Sequence, residues 1–516
     1  MTRVLTLIPA WRRWLGPWLI GIVAFGFRSA YYTEKYGHPD ETITFEVVRY
    51  MRSSGDWDTN WAKAKLEPGF NYEQYNFAAY HHATFGFYRL VKVILVLDEW
   101  RSRDGGFWVY RFFSVLLATL AVMQTWWLAR RIGGARVGLV AGIGAAVLPG
   151  LVQDAHYARP EALVTVLTLT AVLLSLPRPT FSAWRGLGAA VVLGVAVACK
   201  ISLLALAWLP LVTLIPVERG KAPGLGRCLG VVGLTLLGLV LGFALGAPDA
   251  VTNLQTYVRG VGHLTQQYAG LHPPHSPLVD QTATGLLTRY YLSTLGGLGL
   301  GAALVGAWVC WWQRRWAVAV VLAGPVLLFA GYFCTRTVFF ERNLSHILPL
   351  GCVLAALGLA AGATWIARRS GVRAAWVLAG LLALALLRPT DITRRLIHEF
   401  SGVPAKARAA QREKLRLTHP DLIWRETDLL STAALDELRQ HFKEAGGPLL
   451  LRVIDYHDEW SAYHGPRLQA QFETQLLATV PSAFADVASC TLHTYGSGTD
   501  RFYVVTGVLK DAGAGK

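Results

Sequence analysis

Eleven apolar runs, most of them near the roughly 20 residues an α-helix needs to cross a bilayer, fill the first 388 positions. They fall at about 14–32, 107–129, 136–153, 161–176, 185–199, 201–217, 225–247, 286–312, 316–334, 344–367 and 374–388. In lipid every backbone N–H and C=O must be satisfied internally, so runs of this kind dictate membrane-spanning helices. Composition agrees: 53% of residues are hydrophobic and 16% charged, against about 25% charged in soluble domains. That balance excludes a single soluble domain and a disordered chain. Nineteen Trp suit a protein with membrane interfaces.

The net charge of +16 would point to nucleic acid if it were spread over a soluble surface. It is not. Residues 388–516 hold 16 Lys+Arg and 16 Asp+Glu, so the whole excess lies in the apolar part. A twelfth apolar run, 77–97, is long enough to cross, and loop charge decides against it. With that run on the surface, the inside loops carry Arg3, Arg12, Arg13, Arg130, Arg131, Arg136, Arg178, Arg185, Arg219, Lys221, Arg227, Arg314, Arg315, Arg368, Arg369 and Arg373. The one acid among them is Glu218. Every inside loop then obeys the positive-inside rule. The predicted protein has about 11 spans, its N-terminus inside and its C-terminus outside. The first run reads as an uncleaved anchor, and 77–97 as a helix along the outer surface. This predicts a multi-pass protein of the cell inner membrane.

The large outer segments are then 33–106, 248–285 and 389–516, with short outer loops at 154–160 and 335–343. Residues 1–388 form the membrane domain and 389–516 a small extracytoplasmic α/β domain. Strands are expected over 446–455, 488–495 and 501–509, and a helix over 429–445. The six Cys form no CxxC pair and read as small apolar fillers. No internal repeat is evident.

Four polar places gather at the outer ends of the spans. His38-Pro39-Asp40-Glu41 puts two carboxylates just past the first span; an Asp-Glu pair after Pro is also an ordinary helix start. Asp154, Arg159 and Glu161 share a short loop, as a capping ion pair or as the wall of a polar cavity. Lys200 lies between two apolar runs and Arg111 a turn inside another; snorkelling accounts for either as readily as ligand binding does. Arg336, Glu341, Arg342 and Asn343 share the loop before the tenth run, where Glu341 and Arg342 could pair structurally. A pocket combining carboxylates with several cations fits sugar transfer from a polyprenyl-phosphate donor. Phosphate leaves without protonation, cations stabilise the charge it gains, and one carboxylate suffices as base. His263, His272 and His275 in a Pro-rich outer loop are weak evidence for a metal. Asp455 to Trp460 in the tail suits a strand-end turn or a glycan contact.

At these residues the chain resembles the GT-C membrane glycosyltransferases. The nearest type is the bacterial family 39, phospholipid-carrier-dependent one, kin of protein O-mannosyltransferases and the aminoarabinose transferase. The resemblance rests on His38-Pro39-Asp40-Glu41, Ser54-Gly55-Asp56-Trp57, the aromatic segment 72–80 and Tyr110-Arg111-Phe112-Phe113-Ser114. It continues through Ala129-Arg130-Arg131-Ile132-Gly133-Gly134, Ala158-Arg159-Pro160-Glu161, Lys200, Glu341-Arg342-Asn343 and Ile347-Leu348-Pro349-Leu350. It implies a first outer loop with two surface helices, which suits 42–52 and 77–97. It implies Asp40 as general base with Glu41 beside it, and Arg336, Arg342, Lys200, Arg111 and Arg159 on the donor phosphate. His38, Glu161, Tyr80, His81 and Asn343 would support them. The expected partners are a polyprenyl-phosphate sugar, a glycan, lipid or protein acceptor, and the bilayer, with no nucleic acid. No cofactor and no metal are expected, with a divalent cation left open. The pocket would open on the periplasmic face. The segments depart from the family pattern at Asn76-Phe77-Ala78-Ala79 and at Glu161, where Asp is common. A dolichol-phosphate-mannose-type enzyme, a lipid-linked transporter or flippase, and a scaffold working through its tail are the competing readings.

Overall fold

The computed structural model describes residues 12–33, 41, 54–55, 108–178, 182–214, 224–267, 282–336, 340–418, 425–427, 449–453, 487–495 and 502–509. The expected surface helices at 42–52 and 77–97 and the helix at 429–445 lie outside them, as do His38, Asp40, Tyr80 and His81.

The helices are α1 (Arg12–Ser29), α2 (Trp108–Gly133), α3 (Ala135–Ala146), α4 (Pro149–Ala155), α5 (Glu161–Ser175), α6 (Ala183–Cys199) and α7 (Leu225–Gly246). Then come α8 (Pro248–Thr252), α9 (Leu254–Gln267), α10 (Ala283–Trp312), α11 (Trp316–Cys334), α12 (Leu348–Ser370), α13 (Ala374–Phe400) and α14 (Val403–Thr418). Among the described residues six of these are long and apolar enough to cross a membrane: α2, α7, α10, α11, α12 and α13. Helices α3 and α4 meet at a 55° bend and make a seventh if taken as one broken span. The runs at 14–32, 161–176 and 185–199 are helical but shorter. Over its described residues, 201–214, the run at 201–217 forms two 3₁₀ turns, Ile201–Leu206 and Leu209–Leu214; Pro210, with no N–H to give to the Leu206 carbonyl, falls at the start of the second. In the other direction, α13 runs on past Pro389 to Phe400, twelve residues beyond the apolar run at 374–388.

The chain divides into two compact units. The first holds residues 1–267, 294–332 and 341–393; the second holds 268–293, 333–340 and 394–516. The tail therefore shares its unit with two earlier segments of the chain, 268–293 and 333–340.

In the first unit α6 and α7 approach until their backbones touch. A Cβ on Gly242 would run into the Val191 carbonyl, and one on Gly238 would meet Ala190. Small residues at intervals of four, Gly238, Gly242 and Gly246 against Ala190, Gly194 and Ala198, permit this packing. Helix α10 kinks at Gly296, whose φ of +71 suits glycine, and a Cβ there would lie 2.8 Å from the Ala385 carbonyl.

The break between α3 and α4 is stabilised from outside. The last turn of α3 keeps only long backbone bonds, Val147 N–H to the Ile143 carbonyl and Leu148 N–H to the Ala145 carbonyl, each at 3.3 Å. Arg28, fully buried near the end of α1, donates to the carbonyls of Ala145 at 3.0 Å and Ala146 at 2.9 Å, and to its own Ala24 at 3.0 Å. The Thr393 hydroxyl of α13 donates to the Val147 carbonyl at 2.8 Å. A cation at a helix C-terminus also meets the negative end of the dipole. This fixes the direction of α4, and α4 carries the loop on which the candidate site is built.

In the second unit the described strands are β1 (Arg425–Thr427), β2 (Leu449–Val453), β3 (Val487–Tyr495) and β4 (Phe502–Leu509). They make one sheet in the order β1-β2-β4-β3, with β1 parallel to β2 and the other pairs antiparallel. Three of them match the expected strands; the short β1 is an addition.

Candidate functional site

The loop Ala155–Glu161 is buried throughout, which is unusual for a connection and demands partners for its polar groups. His156 supplies two of them. Its ring nitrogens lie 2.7 Å from the Val152 carbonyl and 2.7 Å from the Ala30 carbonyl, joining α4 to the end of α1.

Glu41 lies against this loop with no solvent exposure. It accepts the backbone N–H of Ala158 at 2.8 Å and takes both forks of Arg111, Nε and Nη2, at 2.8 Å each. The same guanidinium donates to the Tyr32 carbonyl at 3.1 Å. This bidentate geometry is the strong form of the contact. It assigns Glu41 and Arg111 to each other and fixes Glu41 against α2 and the buried loop. Asp40 itself is the residue immediately before Glu41 in the chain.

The second half of the loop enters a denser cluster. Arg159 reaches Asp154 at 3.7 Å and Glu161 at 3.7 Å, and lies 3.9 Å over the Tyr157 ring. Lys200, at the end of α6, pairs with the other oxygen of Glu161 at 3.3 Å and reaches the Arg342 carbonyl at 3.5 Å. Ser345 donates to that carbonyl at 2.9 Å. The short 3₁₀ turn Glu341–Asn343 thus meets the ends of α5 and α6, with Glu341 and Asn343 buried. Asp154 and Glu161 stand among Arg159, Lys200 and Arg342, and Glu341 is buried in the same turn as Arg342.

Sequence reasoning grouped Arg111, Arg159, Glu161, Lys200 and Arg342 at one side of the membrane, and the structure brings them into one connected region with Glu41 and Asn343. Arg336 falls in the second unit. Of the loop at 248–285 the described residues are 248–267, which form α8 and α9, and 282–285, where α10 begins.

Two residues were missed. Arg28 was absorbed into the first apolar run, although an arginine there is a signal in itself. His346 was passed over although it is the single histidine between positions 276 and 397. It is 1% exposed, packs edge-on against Phe329 at 4.6 Å, and has Lys200 and Glu161 as its charged neighbours. Among the described residues neither of its ring nitrogens has a hydrogen-bond partner. A buried imidazole normally finds one, because leaving it bare costs free energy.

No family model matches this sequence, and no curated protein matches it either. Solved structures do. The chain is similar to ArnT from Cupriavidus metallidurans in its apo state, with a TM-score of 0.50 and 16% identity over 96% of this chain and 98% of that one. It is similar to the same protein bound to undecaprenyl phosphate, with a TM-score of 0.50 and 17% identity over 95% and 96%. Identity this low over nearly the full length of both chains speaks to architecture. The chain has the fold seen in ArnT from Cupriavidus metallidurans.

Proposed function

We propose that the protein is a membrane glycosyltransferase that moves a sugar from a polyprenyl-phosphate donor to an acceptor hydroxyl. The observation that carries this reading is the imidazole of His346 inside the buried cluster. Among the described residues neither of its ring nitrogens has a hydrogen-bond partner, and Lys200 is a charged neighbour of the ring. A buried N–H donor beside a lysine is a setting for an anion such as a phosphate ester. The ArnT structure with undecaprenyl phosphate supports a lipid phosphate as that anion.

In this mechanism Lys200 and Arg342, with Arg159 behind them, stabilise the negative charge that grows on the departing phosphate. A ring N–H of His346 donates to one of its oxygens. Asp40 takes the proton of the acceptor hydroxyl as the oxygen attacks the anomeric carbon. The C–O bond to phosphate breaks as the new glycosidic bond forms, so the anomeric centre inverts. Glu41 and Arg111 act by holding the segment that carries Asp40. Glu161 balances Lys200 and keeps it aimed. The site would open on the periplasmic face of the inner membrane, with about 11 spans and the tail on the same face as the pocket.

The test is transfer from a synthetic polyprenyl-phosphate sugar to acceptor extract by the protein in proteoliposomes. Asp40→Asn is expected to lower the rate by about 10²–10⁴, with donor binding retained. Full transfer activity in Asp40→Asn would remove Asp40 from the role of base.

A further inference from the structure

Helices α2, α5 and α6 each contribute a group to the candidate site at one end. These are Arg111 near the start of α2, Glu161 at the start of α5, and Lys200 at the end of α6. Each also brings an arginine to its opposite end. Arg131 lies 20 residues beyond Arg111, about 30 Å along the helix at 1.5 Å per residue. Arg178 follows α5, and Arg185 lies in the first turn of α6. Since α2 packs on α5 and α5 on α6, the three guanidinium groups collect on the face away from the site.

Arg185 is anchored there, donating to the carbonyls of Leu173 and Leu176 at 3.2 Å each at the end of α5. Arg178 is two residues past Leu176 and exposed. Arg131 lies 4.2 Å over the ring of Trp127 and is also exposed. Arg178 is an electrostatic neighbour of both of the others, and the three repel one another. Among the described residues no carboxylate pairs with any of them. Helix capping explains Arg185 and ring stacking part of Arg131. Neither explains why Arg178 is brought beside them. Two large indoles flank the group, Trp127 at 44% and Trp184 at 80% exposure. Exposed indoles beside cations mark the level of the lipid headgroups.

We propose that Arg131, Arg178 and Arg185 form a binding site for the phosphodiester headgroup of an anionic phospholipid, in the leaflet opposite the sugar-transfer site. The planar forks of arginine suit phosphate oxygens in pairs. Basic pockets between membrane helices take such headgroups. The indoles are the reason to assign a lipid over a free phosphate.

The experiment uses the full chain in nanodiscs of phosphatidylcholine doped with phosphatidylglycerol, with retained lipid counted by native mass spectrometry. Arg131→Gln combined with Arg178→Gln removes two of the three charges and spares the cap made by Arg185. Loss of the two is expected to weaken phosphatidylglycerol retention about tenfold, with the unfolding temperature in pure phosphatidylcholine unchanged. Arg368→Gln combined with Arg369→Gln, at the end of α12, is the control for general surface charge and should leave retention near the wild-type level. Should the double variant fail to fold, Arg178→Gln alone serves, with a smaller loss expected. Equal retention in the variants, or an equal loss in the control, would overturn the site. Displacement of the lipid by millimolar inorganic phosphate would overturn its assignment to a lipid. None of these outcomes depends on sugar transfer.

Discussion

Glu41 and Arg111 are 70 residues apart in sequence and form the best-made ion pair among the described residues. Both are out of water, at 0% and 3% exposure. Removing one partner leaves a buried charge without its counterion, which typically costs about 3–5 kcal/mol, whereas replacing both with apolar groups often costs little. Glu41→Gln is therefore expected to lower the unfolding temperature and abolish transfer. Glu41→Leu combined with Arg111→Met should recover much of the stability without the activity, as thermal unfolding in detergent would reveal. Lys200→Gln should behave differently. Lys200 is partly exposed and faces the cluster, so this change should impair donor use more than stability, seen as weaker binding of a polyprenyl phosphate. The sequence announced these groups individually, as polar residues at the ends of apolar runs. It did not announce their pairing, because nothing in a spacing of 70 residues marks a contact. The same holds for Arg159, whose neighbours Asp154 and Glu161 were legible as a local ion pair, while the arrival of Lys200 on Glu161 was not.

At the scale of elements, the apolar runs predicted helices well and their form less well. The run at 136–153 is a pair of helices with a bend, and the one at 201–217 is 3₁₀ over its described residues. Apolar composition reports that a segment sits in lipid or core, yet the breaks follow from partners far away in sequence. Arg28 and Thr393 make the α3–α4 bend tolerable by satisfying carbonyls at its corner. Arg28→Met should expose those carbonyls to an apolar setting, at about 1–3 kcal/mol. Hydrogen exchange at residues 143–158 should rise, and sugar transfer should fall, because the buried loop after α4 loses its direction. The α6–α7 contact gives a second prediction. Gly242→Leu cannot fit against the Val191 carbonyl, so the helices must separate, and thermal unfolding should drop sharply. A glycine such as Gly230, where a Cβ meets no atom within 4 Å, should accept Leu with little effect.

For the whole molecule, three helices join two charged regions of opposite character. At one end α2, α5 and α6 hold a buried mixed-charge cluster; at the other they gather exposed arginines beside indoles. The inside excess of cations was visible in the sequence as a topology signal. Its division into caps, stacked arginines and a group with no acid was visible only after folding. The tail was read as a separate domain from residue 389, and in space it joins with 268–293 and 333–340, a union that linear composition cannot report. The proposed orientation, with the N-terminus inside, makes its own prediction. A cysteine placed at Gly371, in the turn between α12 and α13, should react with a membrane-impermeant maleimide only from the cytoplasmic side of spheroplast-derived vesicles, and labelling from the outer side would reverse the topology. Sugar transfer at the buried cluster is tested most directly by the fate of a radiolabelled polyprenyl-phosphate sugar in proteoliposomes containing acceptor extract. The expected result is free polyprenyl phosphate and a labelled acceptor with inverted anomeric configuration, both lost in Lys200→Gln combined with Arg342→Gln. Movement of the intact lipid-linked sugar across the bilayer, with no covalent product, would contradict it.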